Sequence, residues 1–236
     1  MLLIVYLDAY HLGDPLFIDR FARIAKACAH PLVLVHGTGE AAELALEGSG
    51  REPAREGGVL RLAHADDAET VARAGRELSR RLVHALNEAG VSALRVTGAD
   101  RGLLRATADG ALEAPGAAWV AALARQGAVP AVLALVRGEV TAPLREVDPA
   151  AAAAALARAT GGTLVALARS ATGRLPERAA PAEAAALAGD PEGFARLAAS
   201  GLPLRLAPPG SLAGPEAQPP GIAVSERPAT ASEAAS

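Results

Sequence analysis

Lysine is almost missing from this chain of 236 residues: Lys26 stands alone, and arginine carries nearly all the positive charge. Cysteine is also down to one residue, Cys28, which rules out an internal disulfide and any zinc site built on cysteines. Lying in a helical stretch, Cys28 reads as a small core residue rather than a nucleophile. Aromatic residues are 3% of the chain, so its core must be aliphatic. No apolar run reaches membrane-spanning length. The apolar start, Met1–Leu7, meets Asp8 too early for a signal segment and has no basic residues before it, so a cytoplasmic location is expected. A formal net charge of −3 lacks the basic excess that a nucleic acid or an anionic membrane attracts, and neither is expected as a partner.

Hydrophobic residues, mostly Ala, Leu and Val, make up 51% of the total, enough for a sizeable core. They fall in short apolar runs that alternate with helical patterns. Leu2–Leu7, Leu32–Val35, Ser92–Val96, Ala131–Val136 and Thr163–Leu167 read as strands. Asp14-Pro15 caps a helix running to about Ala29, and a shorter helix covers Glu40–Leu46. A long helix over Ala68–Ala89 is closed by Gly90, another covers Gly116–Gln126, and Asp148-Pro149 opens an alanine-rich helix to Ala159. Near-continuous apolar strands separated by helices predict an α/β protein, a three-layer α/β/α sandwich around a mainly parallel sheet, over residues 1–207. Beyond about Pro208 the chain turns to Pro, Ala, Gly, Ser and Glu, and residues 208–236 are expected to form a disordered tail.

His36-Gly37-Thr38-Gly39 sits where a parallel strand hands the chain to a helix. Glycines there let the backbone approach an anion, which the free N–H groups and the helix dipole stabilise. Turn geometry alone accounts for the glycines equally well, so the loop by itself points both ways. Five histidines occur, none at a metal-ligand spacing from another or from Cys28, and no metal site is expected. Ser79 and Ser170 lack the Gly-x-Ser-x-Gly elbow of serine hydrolases.

Several segments together point further. Leu32–Gly39 resembles the "VVVHGGG" segment of the acetylglutamate kinases, with Thr38 for the middle glycine, and Val59-Leu60-Arg61-Leu62 resembles their "GLRVT". Leu82–Leu104, containing Thr97-Gly98-Ala99-Asp100-Arg101-Gly102, is similar to "LV..LN..G..AVGLSGKDGGL", and Ala128-Val129-Pro130 to "GYIPV". Asp148 with its following alanines resembles "NADxAAxxLA", and Leu164–Leu175 resembles "LILLTDVPGVL". The resemblance implies the amino-acid-kinase fold. It also implies that family's activity: phosphorylation of the side-chain carboxylate of an N-acylated amino acid by ATP with Mg²⁺. Under it, Gly37, Thr38 and Gly39 are the substrate and phosphate cradle, and Arg61 clamps the substrate α-carboxylate as a bidentate fork. Asp148 is the catalytic acid that orients lysines, Ser170 and Gly173 face the nucleotide, and a homo-oligomer is expected. Read from their own surroundings, Arg61 is a solvated surface charge and Asp148 an N-cap, a role that it can combine with the other.

The resemblance breaks at the charges. The family ends its first strand in Lys before two glycines; here Tyr6 stands for the lysine and Asp8-Ala9 for the glycines. A second family lysine, in "GGMxxK", has no counterpart between Arg178 and Leu206, where Gly193-Phe194-Ala195-Arg196 is the nearest echo. Ser170 takes the place of the "DVPGV" acid. A transferring phosphoryl group needs fixed positive charge, and unit charges 4 Å apart interact by about 4 kcal/mol at an effective dielectric of 20. Two functions stay open. One is a phosphotransferase with a rearranged site, where Arg174 or Arg196 supplies charge. The other is a non-catalytic relative that binds an acylated amino acid or a sister subunit in a regulatory or scaffolding role.

Overall fold

The computed structural model describes residues 1–64, 66–107, 110–138, 142–170, 178–214 and 221–224. Eight strands form the central sheet: β1 Leu3–Leu7, β2 Leu32–His36, β3 Ala93–Thr97, β4 Val129–Leu133, β5 Thr163–Leu167, β6 Arg178–Ala179, β7 Leu204–Ala207 and β8 Ile222–Val224. Their order is β3-β4-β2-β1-β5-β7-β8-β6. Every pairing is parallel except β7 with β8. In register, Leu3 of β1 stands between Leu32 and Thr163.

The strands β1, β2 and β4 are buried throughout because helices cover both faces of the sheet. On one face, Leu3, Val5 and Leu7 pack with Phe21 from α2 (Pro15–Ala27) and with Leu82 and Leu86 from α4 (Asp67–Glu88). On the other, Leu2, Ile4 and Tyr6 meet α5 (Ala117–Arg125), α6 (Pro149–Thr160) and α8 (Pro191–Ala199). Three helices open on the same dipeptide. Asp14, Asp148 and Asp190 each accept a backbone N–H of the first turn and are followed by a proline, whose missing N–H is no loss there. Shorter helices α1 (Ala9–Leu12), α3 (Gly39–Glu47) and α7 (Pro181–Leu187) complete the layers. None of the described helices is long and apolar enough to cross a membrane.

Two expectations are corrected. Ala131–Val136 is not one strand. β2 ends at His36, opposite Leu133, so the pairing runs out there. Leu135–Arg137 then turns away to pair antiparallel with Leu144–Glu146. Nor does the packed body stop at residue 207. Pro209–Ala213 forms a 3-10 turn with Leu212 buried against the α2 face, and β8 pairs with β7 with Ile222 buried. β8 covers a sheet edge that would otherwise stand open.

Candidate functional site

A cavity of about 310 Å³ opens at the carboxyl ends of β1 and β2, the end at which open α/β sheets bind ligands. Its walls include Tyr6, Gly37, Gly39, Arg55, Glu146, Asp190 and Arg196. Gly39 adopts φ 58, a left-handed conformation that glycine takes without strain, and so turns the strand end directly into α3. Over the opening lies a hairpin pairing Arg55–Glu56 with Val59–Leu60. Its loop, Gly57-Gly58, has φ 58 and φ 83, the positive pair that a tight hairpin turn requires.

The glycine turn does cradle an anion, but the anion belongs to the chain. Glu146 is buried, and its Oε1 accepts from the Thr38 backbone N–H at 3.0 Å and from Thr38 Oγ1 at 2.5 Å. Its Oε2 accepts from the Leu60 N–H and from Arg55 Nη1, each at 3.1 Å. Arg55 also donates to the carbonyls of Gly58 and Gly39 and pairs with Glu43 at 2.5 Å. One carboxylate therefore ties the turn, the hairpin and a guanidinium together.

Tyr6 and Arg196, two of the positions where positive charge was sought, are each bonded to an aspartate. Tyr6 donates its hydroxyl to Asp190 Oδ2 at 2.7 Å. Burial first, and then the Asp190 charge, hold that hydroxyl well above its ordinary range, so it is a neutral donor. The pair needs Gly193 beside it, since a Cβ there would lie 2.6 Å from the Tyr6 hydroxyl. Arg196 Nε donates to Asp148 Oδ2 at 3.0 Å, while Asp148 also accepts from Ala150 N and Ala151 N. Asp148 is thus both an N-cap and a partner of the site's arginine. Among the described residues, five carboxylates (Glu40, Glu43, Glu146, Asp190, Glu192) share this cavity with two guanidiniums. Among the described residues the cavity's guanidiniums, Arg55 and Arg196, are both paired with acids, and Arg174, which the sequence offered as another source of charge, lies outside the described residues.

Two buried histidines lie close by and are occupied. His36 contacts the Gly37 carbonyl at 2.8 Å and Ser79 Oγ at 3.3 Å, and burial lowers its pKa to about 4. His11 lies 2.9 Å from the Asp8 carboxylate, with its other nitrogen 3.2 Å from the Ala168 carbonyl.

Gly37 and Gly39 line this cavity, Thr38 between them holds Glu146, and Asp148 meets it through Arg196. Arg61 is not. Leu60 turns inward, alternation along the strand sends the next side chain outward, and Arg61 is 73% exposed beside Glu56 at 3.7 Å. Ser170 is an exposed residue beyond β5 that does not line the cavity, and Gly173 lies outside the described residues. Arg55, Glu146 and Asp190 went unanticipated. Gly57-Gly58, a hairpin signal, pointed to the element that carries Arg55. Nothing local marks Glu146, whose partners Leu60 and Thr38 lie 86 and 108 residues away.

Comparison with solved structures decides the architecture. N-acetylglutamate synthase from Neisseria gonorrhoeae, solved with coenzyme A and N-acetyl-glutamate, matches 96% of this chain over 60% of its own, at TM-score 0.66 and 19% identity. Aspartate kinase from Synechocystis matches 98% of this chain over 40% of its own, at TM-score 0.65 and 18% identity. Isopentenyl phosphate kinase from T. acidophilum, in a product complex, matches 95% of this chain over 100% of its own, at TM-score 0.60 and 13% identity. The fold is that of the amino-acid kinases. No protein-family model and no curated protein sequence matches the chain. A synthase and two different kinases share the fold, so it does not single out the acetylglutamate kinases among them.

Proposed function

We propose that this chain is a non-catalytic member of the amino-acid-kinase fold, a regulatory or scaffolding subunit rather than a phosphotransferase. One observation carries the reading: the Glu146 carboxylate occupies the anion cradle and is bonded to Thr38, Leu60 and Arg55. A phosphate or substrate carboxylate entering the turn would have to displace it, and the displaced charge would stay buried without its partners. Tyr6 offers no cation, and Arg196 is paired with Asp148. An N-acylated amino acid, itself anionic, meets the same five acids as a nucleotide does. The proposed role is therefore exercised through the protein's surfaces, with a homo-oligomer as its setting.

A second reading draws on Arg55 and Arg196, which both line the cavity. In a phosphotransferase acting on an N-acylated amino acid with ATP and Mg²⁺, Arg55 would take the α-carboxylate and Arg196 the terminal phosphate. Calorimetric titration of ATP, with and without Mg²⁺, separates the two, alongside an ADP-release assay with N-acetylglutamate. The non-catalytic reading expects no saturable heat and no ADP above the buffer rate. ADP release that disappears in Arg196→Ala would establish the enzyme and end the first reading.

A further inference from the structure

A second cavity, of about 450 Å³, lies at the opposite end of the strands, where α2, α4 and α5 end and β2, β3 and β4 begin. Its wall holds the chain's only lysine, Lys26, and its only cysteine, Cys28, with His30, Ser92 and Arg125, and among the described residues it contains no Asp or Glu. His30 is 5% exposed, and among the described residues neither of its ring nitrogens has a hydrogen-bond partner. A neutral imidazole presents one donor and one acceptor, and buried groups of this kind are nearly always paired. Lys26 donates to the Gly90 carbonyl at 2.6 Å, which leaves two of its three N–H groups for other partners. Among the described residues neither Lys26 nor Arg125 belongs to an ion pair.

We propose that this cavity binds a small anion bearing a carboxylate or phosphate group, held by Lys26 and Arg125 above the buried ring of His30. The inference does not rest on the reading of the carboxyl-end site. Three helices present their carbonyl ends here, so compensation of helix dipoles is the competing explanation for the two cations. It does not explain why two cations face a wall without acids beside a buried imidazole that has no partner among the described residues. Cys28 is part of the wall rather than a nucleophile, because burial pushes its thiol above the ordinary range.

The test uses the full chain and follows histidine ring nitrogens by NMR during titration, with inorganic phosphate in one arm and citrate in the other. Sodium chloride at matched ionic strength is the control. One histidine should respond saturably, with a Kd of about 1 mM or tighter, and its signal should vanish in His30→Gln. Lys26→Gln alters an exposed side chain, so the variant stays folded, and it should weaken binding by about tenfold. A response to phosphate alone assigns a phosphorylated ligand, and a response to citrate alone a carboxylate. No saturable response in either arm overturns the proposal. So does an unchanged Kd in Lys26→Gln, a result that stands even where His30→Gln fails to fold.

Discussion

Among the described residues, five carboxylates and two guanidiniums line the cavity at the carboxyl ends of the strands, whereas the cavity at their amino ends has a lysine, an arginine, a buried histidine and no acid. The fold's own polarity runs the other way. Helix N-termini converge at the carboxyl end and favour anions there, while helix C-termini at the amino end favour cations. In this chain the favoured anion is built in: Glu146 sits in the glycine turn, Asp148 at the start of α6 and Asp190 at the start of α8. The polar groups of the carboxyl end therefore satisfy one another, and those of the amino end are left open. Occupancy by the chain's own side chains, more than the presence of a pocket, separates a closed site from an available one.

The comparison breaks most sharply at Glu146. Replacing it with alanine removes the acceptor for Thr38 N, Thr38 Oγ1, Leu60 N and Arg55 at once. Breaking a buried charged pair from one side costs about 3–5 kcal/mol, and Glu146→Ala should lose that much stability in urea unfolding. The cradle freed by the substitution should then bind inorganic phosphate, and the stability loss should shrink as phosphate is added. A loss below about 1 kcal/mol, within the range of an ordinary substitution, would mean that the carboxylate does not hold the carboxyl end shut.

His36 sharpens the same contrast through pH. Its folded pKa is about 4 against an ordinary 6.5, because burial penalises the imidazolium. Between those values the unfolded chain binds a proton that the folded chain refuses, so stability rises with pH. The contribution is complete above pH 6.5 and falls as the pH is lowered through 6.5 towards 4, by up to about 3 kcal/mol. Urea unfolding at pH 7 and pH 4.5 measures it, and His36→Gln should flatten that part of the slope. A slope unchanged by the substitution would place the titrating group elsewhere.

Much of this architecture could be read from the chain. Apolar runs such as Leu3–Leu7 and Leu32–His36 can be buried on both faces only in a covered parallel sheet, and Asp-Pro marks helix starts by the geometry of the first turn. The glycine turn was legible for the same local reason. What escaped depends on distance or on register. Glu146 acts across 108 residues, and its neighbours Leu144 and Val147 give no sign of a buried acid between them. Ile222 and Leu212 stand out only once β7 offers an edge and α2 a face. Arg61 lies on the hairpin's far side, six positions from the arginine that enters the site, and only the pairing of Arg55 with Leu60 tells the two apart.

That pairing supplies the smallest effect. Arg61 and Glu56 are 73% and 77% exposed, and a pair so open to water contributes little. Arg61→Ala should therefore change stability by less than about 0.5 kcal/mol and leave the phosphate response of both cavities as it was. The experiment is informative because strand side chains alternate. Slipping the hairpin by one residue would carry Arg61 towards the cavity and Leu60 out of it, and would withdraw the Leu60 N–H from Glu146. A large loss of stability in Arg61→Ala, measured beside an Arg55→Ala variant that loses little, is the signature of that slip. The carboxyl end would then hold a free arginine where the present register holds a neutralised one, and its difference from the amino end would disappear.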